Sequence, residues 1–65
     1  MKVEIEREAD GRWLAEIVAI PGAMAYGSDR QEAIDKVEAL VLRILADRLE
    51  HGEEADVADL FTVAV

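Results

Sequence analysis

The sequence predicts a small α+β domain of order β-β-β-α-β, an antiparallel-rich sheet with one long helix packed on one face. Three observations lead there. Asp10-Gly11 sits between two strand-like runs, the strongest short-range hairpin signal. The junction from Ile20 to Ile34 breaks at Pro21-Gly22, extends briefly to Gly27 and reopens at once in a helical pattern. After the helix, Leu60–Val65 alternates as a last strand would. A chain of 65 residues forms one domain, residues 1–65.

The first strand spans Lys2–Glu8. Val3, Ile5 and Arg7 fall on one face and Glu4, Glu6 and Glu8 on the other, a period of two that marks one buried and one wet face. Asp10-Gly11 fits a two-residue type I′ turn. The second strand spans Arg12–Ile20, with Trp13, Ala15, Ile17 and Ala19 on one face and Leu14, Glu16, Val18 and Ile20 on the other. That second face is also mostly apolar, so a neighbouring subunit or partner is expected to cover part of it. Pro21-Gly22 ends the strand, because proline lacks the ladder N–H. The third strand is short, Ala23–Tyr26, and Gly27 turns the chain toward the helix.

The helix spans Arg30–Glu50. Asp29 is its N-cap and Glu32 the third residue on, so a capping box is expected in which each side chain bonds the other's backbone N–H. At 1.5 Å per residue the helix is about 30 Å long and should overhang its sheet. Its apolar residues Ile34, Val37, Leu40, Val41, Leu42, Ile44, Leu45 and Leu49 cover about half the circumference, wider than the ~100° stripe of a one-sided helix. One sheet cannot bury all of these, so Leu40, Leu42 and Leu49 are the expected self-association residues, unless flanking loops cover them. Gly52 suits the left-handed position past the helix end. His51 reads as a capping residue at the negative end of the helix dipole rather than a catalytic one.

Function is bounded mostly by what is missing. The chain has no cysteine and a single histidine, so a disulfide framework and a thiolate metal site are ruled out, and a zinc site would rest mainly on carboxylates. With one serine and one threonine, no nucleophile–base–orienter set is in view. Ser28 adjoins the helix start, where local backbone bonding is the ordinary role. Gly22 and Gly27 are lone turn glycines, not a phosphate loop. No catalytic residue, cofactor or metal is expected. Fifteen acidic against seven basic residues give a net charge of −8, which repels phosphate and argues against direct binding of nucleic acid. Trp13 and Tyr26, with no basic groove beside them, read as packing residues. Met1–Glu6 lacks the apolar segment of a signal peptide, and no apolar run approaches the ~20 residues of a membrane span. The cytoplasm is the expected compartment. An acidic surface on so small a domain suits a basic protein partner met by electrostatic steering.

The order and motifs resemble the HicB-like antitoxins of bacterial toxin–antitoxin systems. The residues that carry the resemblance are Asp10-Gly11 with Trp13 after it, the Pro21-Gly22 break, then Gly27, Asp29 in the place of a capping threonine, and the helix opening Gln31-Glu32-Ala33. They cover about Val3 to Gly52. The sequence departs from the family at Ile17-Val18-Ala19-Ile20, where a Phe-Pro-Asp-Leu run is common, and at Ala23. The chain looks like a short member, the partial RNase-H-like domain without a DNA-binding module. The resemblance implies an antitoxin that binds a small basic mRNA-cleaving toxin and masks its RNA-binding face without chemistry. Glu4, Glu6, Glu8 and Glu16 are the candidate toxin-binding residues. A homo-oligomer, dimer or tetramer, is expected. The alternative is an orphan domain of the same fold, a homo-oligomeric scaffold or small-molecule sensor without a toxin.

Overall fold

In a computed structural model of the chain, residues 1–55, 57 and 61–63 are described, Thr62 by its backbone alone. Asp56 of the acidic connection and Leu60, Ala64 and Val65 of the expected last strand lie outside the described residues. The elements are β1 (Lys2–Arg7), β2 (Trp13–Glu16), β3 (Met24–Gly27), α1 (Arg30–Glu50) and β4 (Thr62–Val63). The sheet has the order β3-β2-β1-β4. β1 with β2 and β2 with β3 pair antiparallel, and β4 pairs parallel with β1. β3 and β4 therefore run the same way, and α1 is the crossover between them.

The hairpin differs from the expected two-residue turn. Arg7 pairs with Trp13 and the Glu8 N–H donates to the Arg12 carbonyl (2.7 Å), which leaves Ala9, Asp10 and Gly11 as a three-residue loop. The Gly11 N–H donates back to the Glu8 carbonyl (3.0 Å), and Gly11 has φ +90°. This is a turn followed by a left-handed residue, the usual three-residue hairpin. The Asp10 carboxylate holds the loop by accepting the Arg12 N–H (3.0 Å) and the Arg12 Nε–H (2.7 Å). A one-residue change of register would move every side chain of β2 to the other face. The observed register sets Ile5 beside Ala15 and so joins the apolar faces of the two strands.

β2 is also shorter than expected. The Ile20 N–H donates to the Ile17 carbonyl (3.0 Å) and the Ala23 N–H to the Ile20 carbonyl (3.1 Å), two turns in succession. The second carries Pro21 and a positive-φ Gly22 (+82°) at its centre, the arrangement of a type II turn. Val18 and Ala19 therefore lie on an exposed turn, and Ile20 folds back into the core. The expected apolar second face of this strand reduces to Leu14 beside Glu16.

α1 matches its expected span, and its ends show why. Asp29 is extended (φ −134°, ψ 170°) and its side chain accepts the Glu32 N–H (2.7 Å). The return bond of the capping box falls one residue early: the Glu32 carboxylate accepts from the Ser28 N–H (3.1 Å) and Ser28 Oγ (3.3 Å), not from Asp29. At the far end the Glu53 N–H donates to the Arg48 carbonyl (2.8 Å) and the Gly52 N–H to the Leu49 carbonyl (3.1 Å), with Gly52 at φ +72°. These two bonds make a Schellman motif and satisfy the last helix carbonyls.

Gly27 is a buried strand residue of extended backbone rather than the expected turn. It is glycine because α1 starts against it: a Cβ there would overlap the Ala33 N atom and stand 2.9 Å from Ala33 Cα and Asp29 O. The core lies between one sheet face and α1. Val3, Ala15, Ile17, Ile20 and Ala23 meet Ala33, Ile34, Val37, Val41 and Leu45, with Ile5, Trp13, Ala25, Leu40, Ile44, Phe61 and Val63 packed at its margin. Extents of 41 × 19 × 17 Å reflect the helix, which at about 31 Å outruns strands of four to six residues.

Candidate functional site

With α1 on one face, the other face of the sheet is open. Its composition follows from the register. One cross-strand row reads Glu6, Leu14, Tyr26, and the next reads Glu4, Glu16, Met24. Each row passes from a carboxylate on β1 to an exposed apolar side chain on β3, where Met24 is 45% and Tyr26 43% exposed. Glu4 and Glu6 stand about 6.8 Å apart along β1, and Glu4 and Glu16 are directly opposed with Cβ atoms about 5 Å apart. The structure thus gathers three of the four expected acidic residues. Glu8 stands apart, past the end of β1 at the mouth of the hairpin.

The charges on this face are only partly answered from within. Lys2 Nζ lies 4.0 Å from Glu4, the limit of an ion pair. Arg12 is committed elsewhere: its Nε bonds Asp10 and its guanidinium carbon lies 4.3 Å from the centroid of the Tyr26 ring. That stacking covers one face of the Tyr26 ring on β3, the edge strand of this face. The Arg12 N–H, more than any other contact, holds the Asp10 carboxyl below its ordinary pKa. Glu32 is lowered as well, first by the Ser28 N–H and then by Lys36, 3.2 Å away.

Leu14 is on the second face of β2 that the sequence marks for covering; Met24 and Arg12 carry no such mark, and Tyr26, expected as a packing residue, is exposed on this face instead. Leu14 and Tyr26 become neighbours only through the pairing of β2 with β3. Leu14 at period two from Glu16 was the one available signal.

On the helix side, the three leucines expected to mediate self-association separate. Leu42 and Leu49 are exposed, 46% and 53%, and lie seven residues apart, within about 20° on the wheel. Leu40 is partly buried against the core and stands about 200° from Leu42 on the opposite flank, so it does not join them. His51 serves the helix end: its Nδ1 donates to the Asp47 carbonyl (2.7 Å) and lies 3.4 Å from Asp47 Oδ1.

Among the described residues no buried side-chain polar atom lacks a partner, and no group of three or more His, Asp or Glu side chains could hold a metal ion. No helix among them is long and apolar enough to cross a membrane. In comparisons with known proteins, no family model, no curated protein and no solved structure matches the chain.

Proposed function

We propose that this chain is a protein-binding module that masks a small basic partner, acting as a HicB-like antitoxin does toward a cationic RNA-cleaving toxin. The observation that carries the proposal is the open sheet face, where Glu4, Glu6 and Glu16 stand together beside Leu14, Met24 and Tyr26. Like charges placed directly across a sheet destabilise it by roughly 0.2–1 kcal/mol. A cationic side chain from a partner relieves the Glu4–Glu16 opposition, and the neighbouring apolar side chains add buried area. The net charge of −8 steers a basic partner toward the domain over a range set by ionic strength. The β-β-β-α-β order around a mostly antiparallel sheet supports the partial RNase-H-like part of the reading. The masking requires no chemistry from the chain itself.

The test is sedimentation of the chain mixed with the small basic protein encoded beside its gene. A mixed complex is expected that weakens as salt rises. Replacing Glu4 and Glu16 together by lysine should abolish it while the domain stays folded. If no such neighbour exists, or the complex forms equally well with the lysine variant, the proposal fails.

A further inference from the structure

The solvent side of α1 carries a repeat that neither the core nor the open sheet face explains. Ala39, Leu42, Ala46 and Leu49 follow one another at spacings of three, four and three. That is the seam spacing of paired helices. Leu42, Ala46 and Leu49 are exposed and Ala39 half-buried. The stripe lies in the C-terminal half of the helix. Its earlier continuation is Asp35, an exposed charge, which confines any seam to the C-terminal half.

We infer that a second copy of this chain docks here, with the two helices antiparallel and Leu42 of each facing Leu49 of the other. The two-fold axis of that arrangement passes beside Ala46. A small side chain at the axis lets the helix backbones approach closely.

Charge supports the same occupant and the same direction. Arg43 and Glu50 lie on one flank of the stripe, seven residues apart. Neither has an ion-pair partner among the described residues. In the antiparallel pair Arg43 comes within about two residues, ~3 Å of axial rise, of Glu50 of the copy. The symmetry repeats that contact, so both charges on both chains are answered. A parallel pair would instead set Arg43 opposite Glu38 and Glu50 opposite Leu45 of the copy, leaving Glu50 unanswered.

Four short positions per chain bury well under the ~800 Å² per partner of a stable interface, so the dimer is weak and concentration-dependent. The dimer leaves both acidic sheet faces pointing away from the contact. Its association opposes the mutual repulsion of two chains of charge −8, so added salt strengthens it. The partner complex proposed above responds to salt in the opposite sense, and the two proposals stand or fall separately.

The test uses the chain alone. It contains no cysteine, so a single introduced thiol reports one contact. Under oxidation Ala46→Cys should cross-link to its own copy, because a disulfide needs Cα atoms about 4.4–6.8 Å apart and the axis brings them together. Leu42→Cys should not, since its counterpart lies seven residues, about 10 Å, along the helix. Efficient cross-linking of both overturns the antiparallel arrangement. Failure of both, together with monomeric sedimentation up to high micromolar concentration, overturns the dimer. Arg43→Glu should shift the wild-type sedimentation profile to monomer with an unchanged circular dichroism spectrum, and adding Glu50→Arg should restore it. A double variant that stays monomeric while folded refutes the charge pairing.

Discussion

Gly27→Ala should be the most disruptive alanine substitution among the four glycines. The new Cβ would overlap the Ala33 N atom and meet Ala33 Cα and Asp29 O at 2.9 Å, against ordinary contacts of 3.4–4 Å. All three atoms are backbone of the first helical turn, so no side chain can swing away. Relief requires β3 and the start of α1 to separate by about 0.5–1 Å, which loosens Ala33 and Ile34 in the core. Overpacking of this kind costs about 1–3 kcal/mol, and rigid backbone neighbours place it at the upper end. The entropy that alanine removes from the unfolded chain returns about 0.4–1 kcal/mol. The net loss is therefore about 2 kcal/mol, which for a domain of this size lowers Tm by roughly 8–16 °C. Thermal unfolding followed by circular dichroism at 222 nm measures it. Gly52→Ala is the comparison: it has open space around its Cβ and incurs only the left-handed backbone penalty of about 1 kcal/mol. A Gly27→Ala protein melting within about 3 °C of wild type would refute the packing of the helix start on the third strand.

Asp29→Ala removes the acceptor of the Glu32 N–H and should cost about 1 kcal/mol in urea unfolding, with Asp29→Ser recovering most of it. Glu32 has a lowered folded pKa, so the stability it contributes is present in full above its ordinary value of 4.5 and is lost as pH falls through the folded value. The difference in urea midpoint between wild type and Glu32→Gln should therefore be largest near neutral pH and shrink below about pH 4.5. Glu16→Gln should raise stability by about 0.2–1 kcal/mol, because it removes a carboxylate directly opposite Glu4, while weakening any complex with a basic partner. A Glu16→Gln protein that is both less stable and an equally good binder would argue against the role given to that face.

The helix was legible in sequence to the residue because its limits are local. Asp29, Glu32 and Gly52 each act within one turn, and nothing distant alters them. The hairpin was legible as a hairpin but not in register. Asp-Gly serves both a two-residue loop and the last two positions of a three-residue loop, and the apolar faces of β1 and β2 coincide only in the second. The end of β2 is not legible in the sequence for a related reason. Val18 and Ala19 have strand-like side chains, yet the Ile20–Ala23 turn needs the chain to reverse ahead of Pro21, and burial of Ile20 favours that reversal over two more strand residues. The width of the apolar arc alone groups Leu40 with Leu42 and Leu49. Centring the wheel on Val37 and Val41 puts Leu40 on one flank and the other two on the opposite one. Three carboxylates of the open face were legible from alternation. Leu14 is legible in the same way, whereas Met24 and Tyr26 join it only through the cross-strand register, which no local signal encodes.

The two sides of this domain make opposite demands on the solvent. On the sheet side, Glu4 and Glu16 repel each other and draw in cations, so the face is least stable by itself and most attractive to a basic protein at low salt. On the helix side, Leu42 and Leu49 gain by leaving water, and the net charge of the chain resists that gain at low salt. Raising ionic strength therefore moves the population from a partner-bound form toward a self-associated one. Because α1 and the acidic rows lie on opposite faces of one thin sheet, neither association blocks the other sterically. A dimer can present two acidic faces, and a partner with two basic patches would bind it with an effective local concentration that a monomer cannot supply. A stoichiometry of two partner chains per dimer at intermediate salt is the consequence. A strict competition between dimer and partner would mean that the two faces are not independent.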